Sequence, residues 1–507
     1  MDPQTESKED AVDTPIVVTA TLPGAASLGA YQAGAMAALA EVVLALRARG
    51  TDVSIGALGG SSAGAIVAAL FSHGLSTGRD VPQLLRRAWV DEVDIDLLRN
   101  PDPDAPLAMD RLRDKVIDFL SDDDRFPAVH APNERPIPLQ IGLTSLGGYE
   151  APVDTGTHDV PAHTFVDWSE FVLEPGHLAD SLWAEVDGAP SLLDTVLTSA
   201  SHPAGFEPRA LSREAQRDRY RDHGVEAVPD ADRFWFTDGG LVESRPIGRI
   251  LSAAARHFDV SAAARRIHVV VDPQSSSPDS GTEWFDDGTV SRSWLDGLRR
   301  SVSIMATQAL HDDLRGTAET NARLRSLDDL VDALADELEI DLTDDARARA
   351  RRRVADWGGV ADKQAVEIEV ICPRWAADDD CGARLLAGDF AGTFGGFLDR
   401  SIRASDFALG WRAVVEWMPE GLGRQGLGEE TVAELLHVLD DAADPSWFST
   451  TVDGDGVDQL SAAGRWRLAL LAAQFGRVLV RAALPSVRLP SVSLPSVSLP
   501  FGSTGRA

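Results

Sequence analysis

Ile55-Gly56-Ala57-Leu58-Gly59-Gly60-Ser61-Ser62-Ala63-Gly64-Ala65-Ile66 decides the fold of this chain. The stretch reads as a short apolar strand, a sharp glycine turn, and then a helix of small and apolar residues over 63–71. Within it, Gly60-Ser61-Ser62-Ala63-Gly64 fits the pattern G-x-S-x-G with Ser62 at its centre. Such a turn forces the serine into a strained conformation, where a side chain on either flank would crowd the backbone. Gly60 and Gly64 remove that crowding, and the following helix aims its first N–H groups at the site. Ser62 is therefore expected to be exposed, rigidly held and close to backbone donors for an oxyanion. Read by itself, the pattern fits a glycine-rich turn without chemistry equally well, because the chain holds 43 glycines. The surrounding sequence has to decide.

Upstream, residues 15–22 (Pro-Ile-Val-Val-Thr-Ala-Thr-Leu) are rich in β-branched side chains and predict a buried strand. The strand ends in a loop of small residues, 24–29, and a long helix is expected over 30–48. Strand, helix, strand and helix within the first 75 or so residues imply βαβ units and a parallel sheet with both faces covered. Ligands of such sheets sit at the carboxyl ends of the strands, where both glycine loops lie. The fold class is α/β.

Bulk properties bound the rest. At 507 residues, two domains or one elaborated domain are expected. The 47 basic and 80 acidic side chains leave a net charge of −33, which would repel nucleic acid. Two cysteines, Cys372 and Cys381, form no disulfide framework and are read as reduced thiols. Residues 1–14 are polar and acidic, without the apolar core of a signal peptide. No run of 18 uncharged apolar residues occurs, so no membrane-spanning helix is expected. The protein is expected in the cytoplasm, with peripheral membrane attachment as an open alternative.

Further along, helical patterns dominate residues 81–119, broken by a loop between Pro101 and Pro106. Strands are predicted over 137–143, 163–166, 234–237 and 267–271, and a helix over 192–200. That helix leads into Ser201-His202-Pro203-Ala204-Gly205-Phe206-Glu207-Pro208, and the strand over 234–237 ends in Asp238-Gly239-Gly240.

Four ordered motifs now stand in the chain: the loop 24–29 followed by Ala30-Tyr31-Gln32-Ala33-Gly34, the elbow 60–64, the segment 200–208, and Asp238-Gly239-Gly240 with Pro246 downstream. In that order they resemble the patatin-like phospholipase and acyl-hydrolase family, over roughly residues 15–275. The resemblance implies a three-layer α/β/α sandwich with a mainly parallel central sheet. It also implies a serine lipid acyl hydrolase that needs neither metal nor cofactor and acts on a lipid or acyl ester. Its catalytic pair would be Ser62 and Asp238, the carboxylate serving directly as general base. A carboxylate is a weak base in water, so burial and a hydrogen bond to the serine hydroxyl are needed to make it useful. The oxyanion hole would come from Gly24, Ala25, Ala26, Ser27, Leu28, Gly29 and the N–H of Ala63. Gly60, Gly64, Gly239 and Gly240 would support the motifs.

Two departures from the family pattern bear on activity. Gly24-Ala25-Ala26 stands where three glycines are usual, with Leu28 where arginine is usual, and Ser244 follows the Asp-Gly-Gly where the family often has asparagine. Alanine still donates its N–H, yet it does not freely adopt positive φ and its methyl narrows the approach. A catalytically weakened lipid-binding or regulatory protein is thus the alternative. A conventional Ser-Asp-His hydrolase would draw on His257 or His268, but only one strand precedes the elbow strand, too few for that fold. His202 lies within the third motif.

The organisation expected is a disordered 1–14, a catalytic domain at 15–275, a mostly helical region at 276–484 and a low-complexity tail at 485–507. Leu324, Leu327, Leu330, Leu334 and Leu338 mark an amphipathic helix, and 366–371 alternates as a strand should. Residues 388–410, rich in Gly and Phe, resemble a segment that follows the catalytic domain in larger bacterial patatin-like proteins. These phenylalanines line an acyl pocket or, more simply, fill a core. Residues 466–484 form an apolar helix with interspersed arginines, which closes a core or gives peripheral membrane contact. Leu-Pro-Ser-Val then recurs from residues 484, 489 and 494, which forbids a helix.

Overall fold

The computed structural model describes residues 14–100, 105–120, 126–176, 182–222, 225, 228–258, 264–274, 311–312, 314–361, 363–376, 386–390, 393–449, 452 and 456–483. The expectations for 1–13, for the start of the helical region at 276–310, for Cys381 and for the tail from 484 onward lie outside the described residues.

Among the described residues, eight strands form one mixed sheet. They are β1 (Ile16–Leu22), β2 (Val53–Gly60), β3 (Ile137–Glu150), β4 (His163–Leu173), β5 (Arg209–Ser212), β6 (Arg233–Asp238), β7 (Arg265–Val271) and β8 (Glu367–Ile371). The order is β8-β7-β1-β2-β3-β6-β5, with β4 also pairing β3. From β8 to β3 every pairing is parallel, whereas β4, β6 and β5 run antiparallel to their neighbours. Helices flank this sheet, giving the mostly parallel α/β architecture that the alternation of strands and helices predicts.

β1 and β2 slip register between Val18 and Thr19, because Gly56 is bulged out. A Cβ on Gly56 would lie 2.6 Å from Val17 Cγ1 and 3.4 Å from Ala254 Cβ, so the bulge tolerates little beyond glycine. Past it, Ala57 faces α4 (Ile247–His257) and joins Ile250, Ala253 and Ala254 in a small core on one side of the sheet. The other side is the main core, built on α1 (Gly29–Ala48) and α2 (Ala63–Thr77).

α1 runs Ala-Tyr-Gln-Ala-Gly-Ala-Met-Ala-Ala-Leu and is buried all round for most of its length, as a helix apolar on every side must be. The segment Ala26–Ala48 holds an 18-residue window apolar enough to cross a membrane, with mean hydropathy 1.4, which the stricter rule of 18 consecutive uncharged apolar residues misses because of Gln32, Glu41 and Arg47. Here 83% of that window is buried by protein, against the sheet on one side and α5 (Arg400–Arg424) on the other. α1 and α5 touch backbone to backbone. A Cβ on Gly34 would fall 1.9 Å from the Phe407 carbonyl oxygen, and one on Gly410 would fall 2.0 Å from that of Tyr31.

The C-terminal half therefore shares both sheet and core with the N-terminal half. β8 extends the sheet beyond β7, pairing Glu367↔Ile267 through Ile371↔Val271. Its alternation has an inverted element: Glu369, not an apolar residue, faces inward beside Ile371. Burial of that carboxylate is offset by Trp417 Nε1 at 3.1 Å, Arg424 Nη2 at 2.5 Å and Gln425 Nε2 at 3.2 Å, all at or just beyond α5. Phe407, Trp411 and Trp417 of α5 are buried as well, each contributing about 1.5–3 kcal/mol by leaving water. The last helix, α7 (Ala462–Ala483), docks through Arg467 on Asp94 and Asp96 and through Gln474 on the Asn100 carbonyl, leaving Trp466 exposed. Between these, α6 (Glu429–Ala442) buries Val432, Leu435 and Leu439. The expected amphipathic stretch at 324–338 is helical and buries Leu324, Leu327 and Val331, while Leu330, Leu334 and Leu338 are exposed.

Candidate active site

The register along β3 brings the candidate pair together. β4 occupies one edge of β3 for nearly its whole length, so β2 and β6 must share the other. β2 pairs parallel up to Gly60↔Ile141, and β6 arrives antiparallel to end at Asp238↔Leu143. The two strands thus run head to head along one edge and stop on either side of Gly142. Ser62 lies two residues past the end of β2, and Asp238 is the last residue of β6.

Gly142 is the pivot, and the sequence offered no signal for it. A Cβ there would lie 2.5 Å from Ser61 Oγ, and a Cβ on Gly239 would lie 2.1 Å from the Gly142 carbonyl oxygen. That carbonyl accepts the Ser199 hydroxyl at 2.7 Å, and Ser199 Oγ in turn accepts the Ser62 backbone N–H at 2.9 Å. Ser199 ends α3 (Leu192–Ser199) and ties the elbow to β3.

The elbow has the strain expected of it. Ser62 has φ 55° and ψ −129°, a region that costs a non-glycine residue roughly 1–3 kcal/mol. Both flanking glycines are required by close approach to β1: a Cβ on Gly60 would sit 2.2 Å from the Leu22 carbonyl oxygen, and one on Gly64 2.0 Å from it. The Ser61 N–H donates to that same oxygen, and Ser61 Oγ donates to the Glu243 carbonyl at 2.9 Å. In one respect the expectation fails. Ser62 is only 7% exposed, because Gly24 closes over it to within 3.2 Å, measured from Ser62 Cβ to an added Cβ on Gly24.

Asp238 is pinned on every side but one. Its N–H donates to the Ser201 carbonyl, its own carbonyl accepts Thr144 Oγ1 at 2.7 Å, and Oδ1 accepts the Gly240 N–H at 2.7 Å. Thr237 Oγ1 also donates to the Ser201 carbonyl, which gives the segment 200–208 its physical role as a shelf under β6. Oδ2 is buried and lacks a partner of ordinary hydrogen-bond geometry. Burial raises the carboxyl pKa above its ordinary 3.8; the Ser62 hydroxyl, the Gly240 N–H and the charge of His202 oppose that rise. The Ser62 hydroxyl is thus near enough to favour the charged carboxylate without completing an ordinary hydrogen bond to it.

The loop 24–29 meets this pair at Gly24. An added Cβ on Gly240 would lie 3.8 Å from Gly24 Cα and 3.8 Å from Ser244 Oγ, and the Gly24 N–H donates to that hydroxyl at 3.4 Å. Ala26 has φ 44°, the left-handed conformation that alanine adopts at a cost. Among the described residues, the N–H groups of Ala25, Ala26 and Ala63 meet no acceptor. Ser27 and Leu28 are fully buried, and Gly29 opens α1.

The histidines divide. His268 is fully buried between Thr19 and Thr21, 2.8 and 2.9 Å from its two ring nitrogens, and burial drops its pKa to about 3. His257 pairs with Glu170 on the surface at 2.7 Å. Neither joins Ser62 and Asp238. His202 is half-buried, accepts the Ala204 N–H on Nδ1 and presents its ring edgewise to Phe394 at 6.4 Å.

The family model described as patatin-like phospholipase matches residues 21–251, a span that contains the elbow, the segment 200–208 and Asp238. An uncharacterised membrane protein of Mycobacterium tuberculosis is 29% identical over 317 residues, which cover 54% of this chain and 27% of that one. The chain thus spans about a quarter of the length of that relative. The crystal structure of VipD from Legionella pneumophila aligns with 87% of this chain and 93% of its own at 10% identity, with a TM-score of 0.23, too low to compare folds.

Proposed function

We propose, from the premise that residues 21–251 belong to the patatin-like phospholipase family, that this protein is a serine lipid acyl hydrolase working through Ser62 and Asp238. The observation that carries the reading is the meeting of two strand ends at Gly142, with Gly24 closing over the serine. In this reaction Ser62 Oγ attacks the ester carbonyl carbon while Asp238 takes the hydroxyl proton on Oδ2. The negative charge on the carbonyl oxygen is held by backbone N–H groups of the loop 24–29 and of Ala63. Collapse of the tetrahedral intermediate expels the alcohol, which receives the proton from Asp238. Water then attacks the acyl-serine with Asp238 again as base, releasing the fatty acid and restoring Ser62. The raised pKa of Asp238 suits this double role, since a base of ordinary carboxylate strength would accept the proton poorly.

A specific observation keeps the weakened-enzyme reading in play: the strained Ala26 and the Ser244 hydroxyl already engaging the Gly24 N–H. Hydrolysis of a short-chain p-nitrophenyl ester and of phospholipid vesicles separates the two. Turnover lost in Ser62→Ala and Asp238→Asn but kept in His202→Ala supports the hydrolase. Folded wild-type protein that binds vesicles and cleaves nothing favours the lipid-binding protein. Peripheral membrane contact through α7, with Trp466 at its surface, is part of the same reading and is tested by flotation of the full chain with those vesicles.

A further inference from the structure

Residues 386–390 and 393–398 of the C-terminal half pack directly on the loop that faces the serine. Ser27, with no exposed surface, is the joint. Its N–H donates to the Thr393 carbonyl at 3.0 Å, its hydroxyl donates to the same oxygen at 2.5 Å, and that hydroxyl accepts the Gly396 N–H at 2.9 Å. Gly396 leaves no room for a side chain, since an added Cβ would lie 2.8 Å from Ser27 Oγ. Thr393 has φ 68°, so a left-handed β-branched residue faces left-handed Ala26 across one residue of the loop.

Two buried side chains of α5 hold this segment in turn. Arg403, 2% exposed, donates from Nη1 to the Gly396 carbonyl at 2.8 Å and from Nη2 to the Val90 carbonyl at 2.9 Å. Asp406 accepts the N–H groups of Ala387 at 2.8 Å and Gly388 at 3.0 Å, and an added Cβ on Gly388 would touch Leu28 at 3.3 Å. The same segment presents Phe394 to His202, whose charge acts on Asp238.

We propose that this C-terminal segment positions the oxyanion donors of the hydrolytic site through Ser27, and that Ser27 and Arg403 are positioning residues for the reaction. The physical requirement is specific. Ala26 does not hold a left-handed conformation by its own preference, so an external set of hydrogen bonds has to hold it. Thr393 and Gly396 supply them on Ser27, the next residue. Loss of those bonds lets the loop relax toward an ordinary conformation and turns the N–H groups of Ala25 and Ala26 away from the developing charge. The proposal rests on the hydrolase reading, and its test separates the two.

Wild type, Ser27→Ala, Ser27→Thr and Arg403→Lys are titrated with a fluorophosphonate to count reactive serines. Ester turnover is then expressed per reactive site, and amide exchange is followed by mass spectrometry in peptides covering 24–29 and 393–398. Ser27→Ala and Arg403→Lys are expected to lose about ten- to hundredfold in kcat per reactive site with KM little changed, as misplaced donors should. Ser27→Thr, which keeps the hydroxyl, should recover most of the loss, and exchange in both peptides should accelerate only in Ser27→Ala and Arg403→Lys. A fall in the number of reactive sites with kcat per site unchanged overturns the proposal, because a merely structural role does that. Active wild type whose two peptides exchange no more slowly than those of Ser27→Ala overturns the clamp and leaves the hydrolase. Inactive wild type with protected peptides does the reverse, removing the hydrolase reading and with it any catalytic role for the clamp.

Discussion

Ser62 and Ala26 both have positive φ on loops that face each other, yet only the Ser62 loop has glycines on both flanks to make room for it. The elbow around Ser62 gets its room from its flanking residues, Gly60 and Gly64, which admit the Leu22 carbonyl at the end of the adjacent strand, and its hydrogen bonds from Ser199 and Glu243. The loop around Ala26 has no such glycines in its left-handed position. It is held through Ser27 by Thr393 and Gly396, positions 366 and 369 residues away in sequence. The elbow has glycines where its strain demands room and is tied within the first half of the chain, whereas the facing loop needs the second half of the chain to finish it. That difference is open to direct attack.

The largest expected effect lies where the two loops meet Asp238, the proposed base. Asp238→Asn should lower turnover about 10²–10⁴-fold, the range of a lost general base. The same substitution should stabilise the fold near neutral pH. Burial raises the Asp238 pKa, so the protonated form is the one that favours folding, and that stability is lost as pH rises through the folded pKa. Melting curves should show the variant gaining on wild type from pH 4 to pH 7, and no gain would contradict a burial-raised Asp238 carboxyl. By the same sign, the acid limb of kcat/KM should fall at a pH above the ordinary carboxylate value of 3.8.

Next comes the elbow. Gly64→Ala places a methyl 2.0 Å from the Leu22 carbonyl oxygen, and a cost of about 3 kcal/mol in chemical denaturation is expected. Equal stability in the variant would mean the elbow is far looser than its contacts. Ala26→Gly sharpens the contrast from the other side. Glycine removes a left-handed penalty of about 1–2 kcal/mol and adds about 0.5–1 kcal/mol of chain entropy, so a small net stabilisation with turnover kept is predicted. A tenfold loss of turnover would show that the alanine methyl itself is needed.

Much of this was legible in the residues. The strand at 16–22, the helix after it, the elbow and the strand ending at Asp238 follow from side-chain periodicity and from glycine placement, which are local properties. The head-to-head meeting of β2 and β6 was not legible, because it depends on how far each runs along β3 and on Gly142, a glycine inside an otherwise ordinary apolar strand. Ser199 was equally silent, since a serine at a helix end has many commoner uses. Glu369 shows the limit of alternation: its pattern marked a strand, but its inward orientation required Arg424 and Trp417 of a helix yet to come. The hold on Ser27 belongs to the same class, set by residues no sequence window contains.

The smallest expected effect concerns that hold. Burial pushes the Asp406 carboxyl up to about 8, with Asp389 adding to the rise and the N–H groups of Ala387 and Gly388 opposing it. A folded pKa above the unfolded one gives stability that is present in acid and lost as pH rises through about 8. The melting temperature of wild type relative to Asp406→Asn should therefore decline from pH 5 to pH 9. A flat difference would mean that Asp406 is charged throughout and that charge itself holds the segment.

The most direct measurement is reaction of the full chain with a fluorophosphonate, followed by intact mass and peptide mapping, on wild type beside Ser62→Ala. The account predicts one adduct per chain, on Ser62, and none on the folded variant. Folded wild type that takes no adduct, or takes it on another serine, would contradict it.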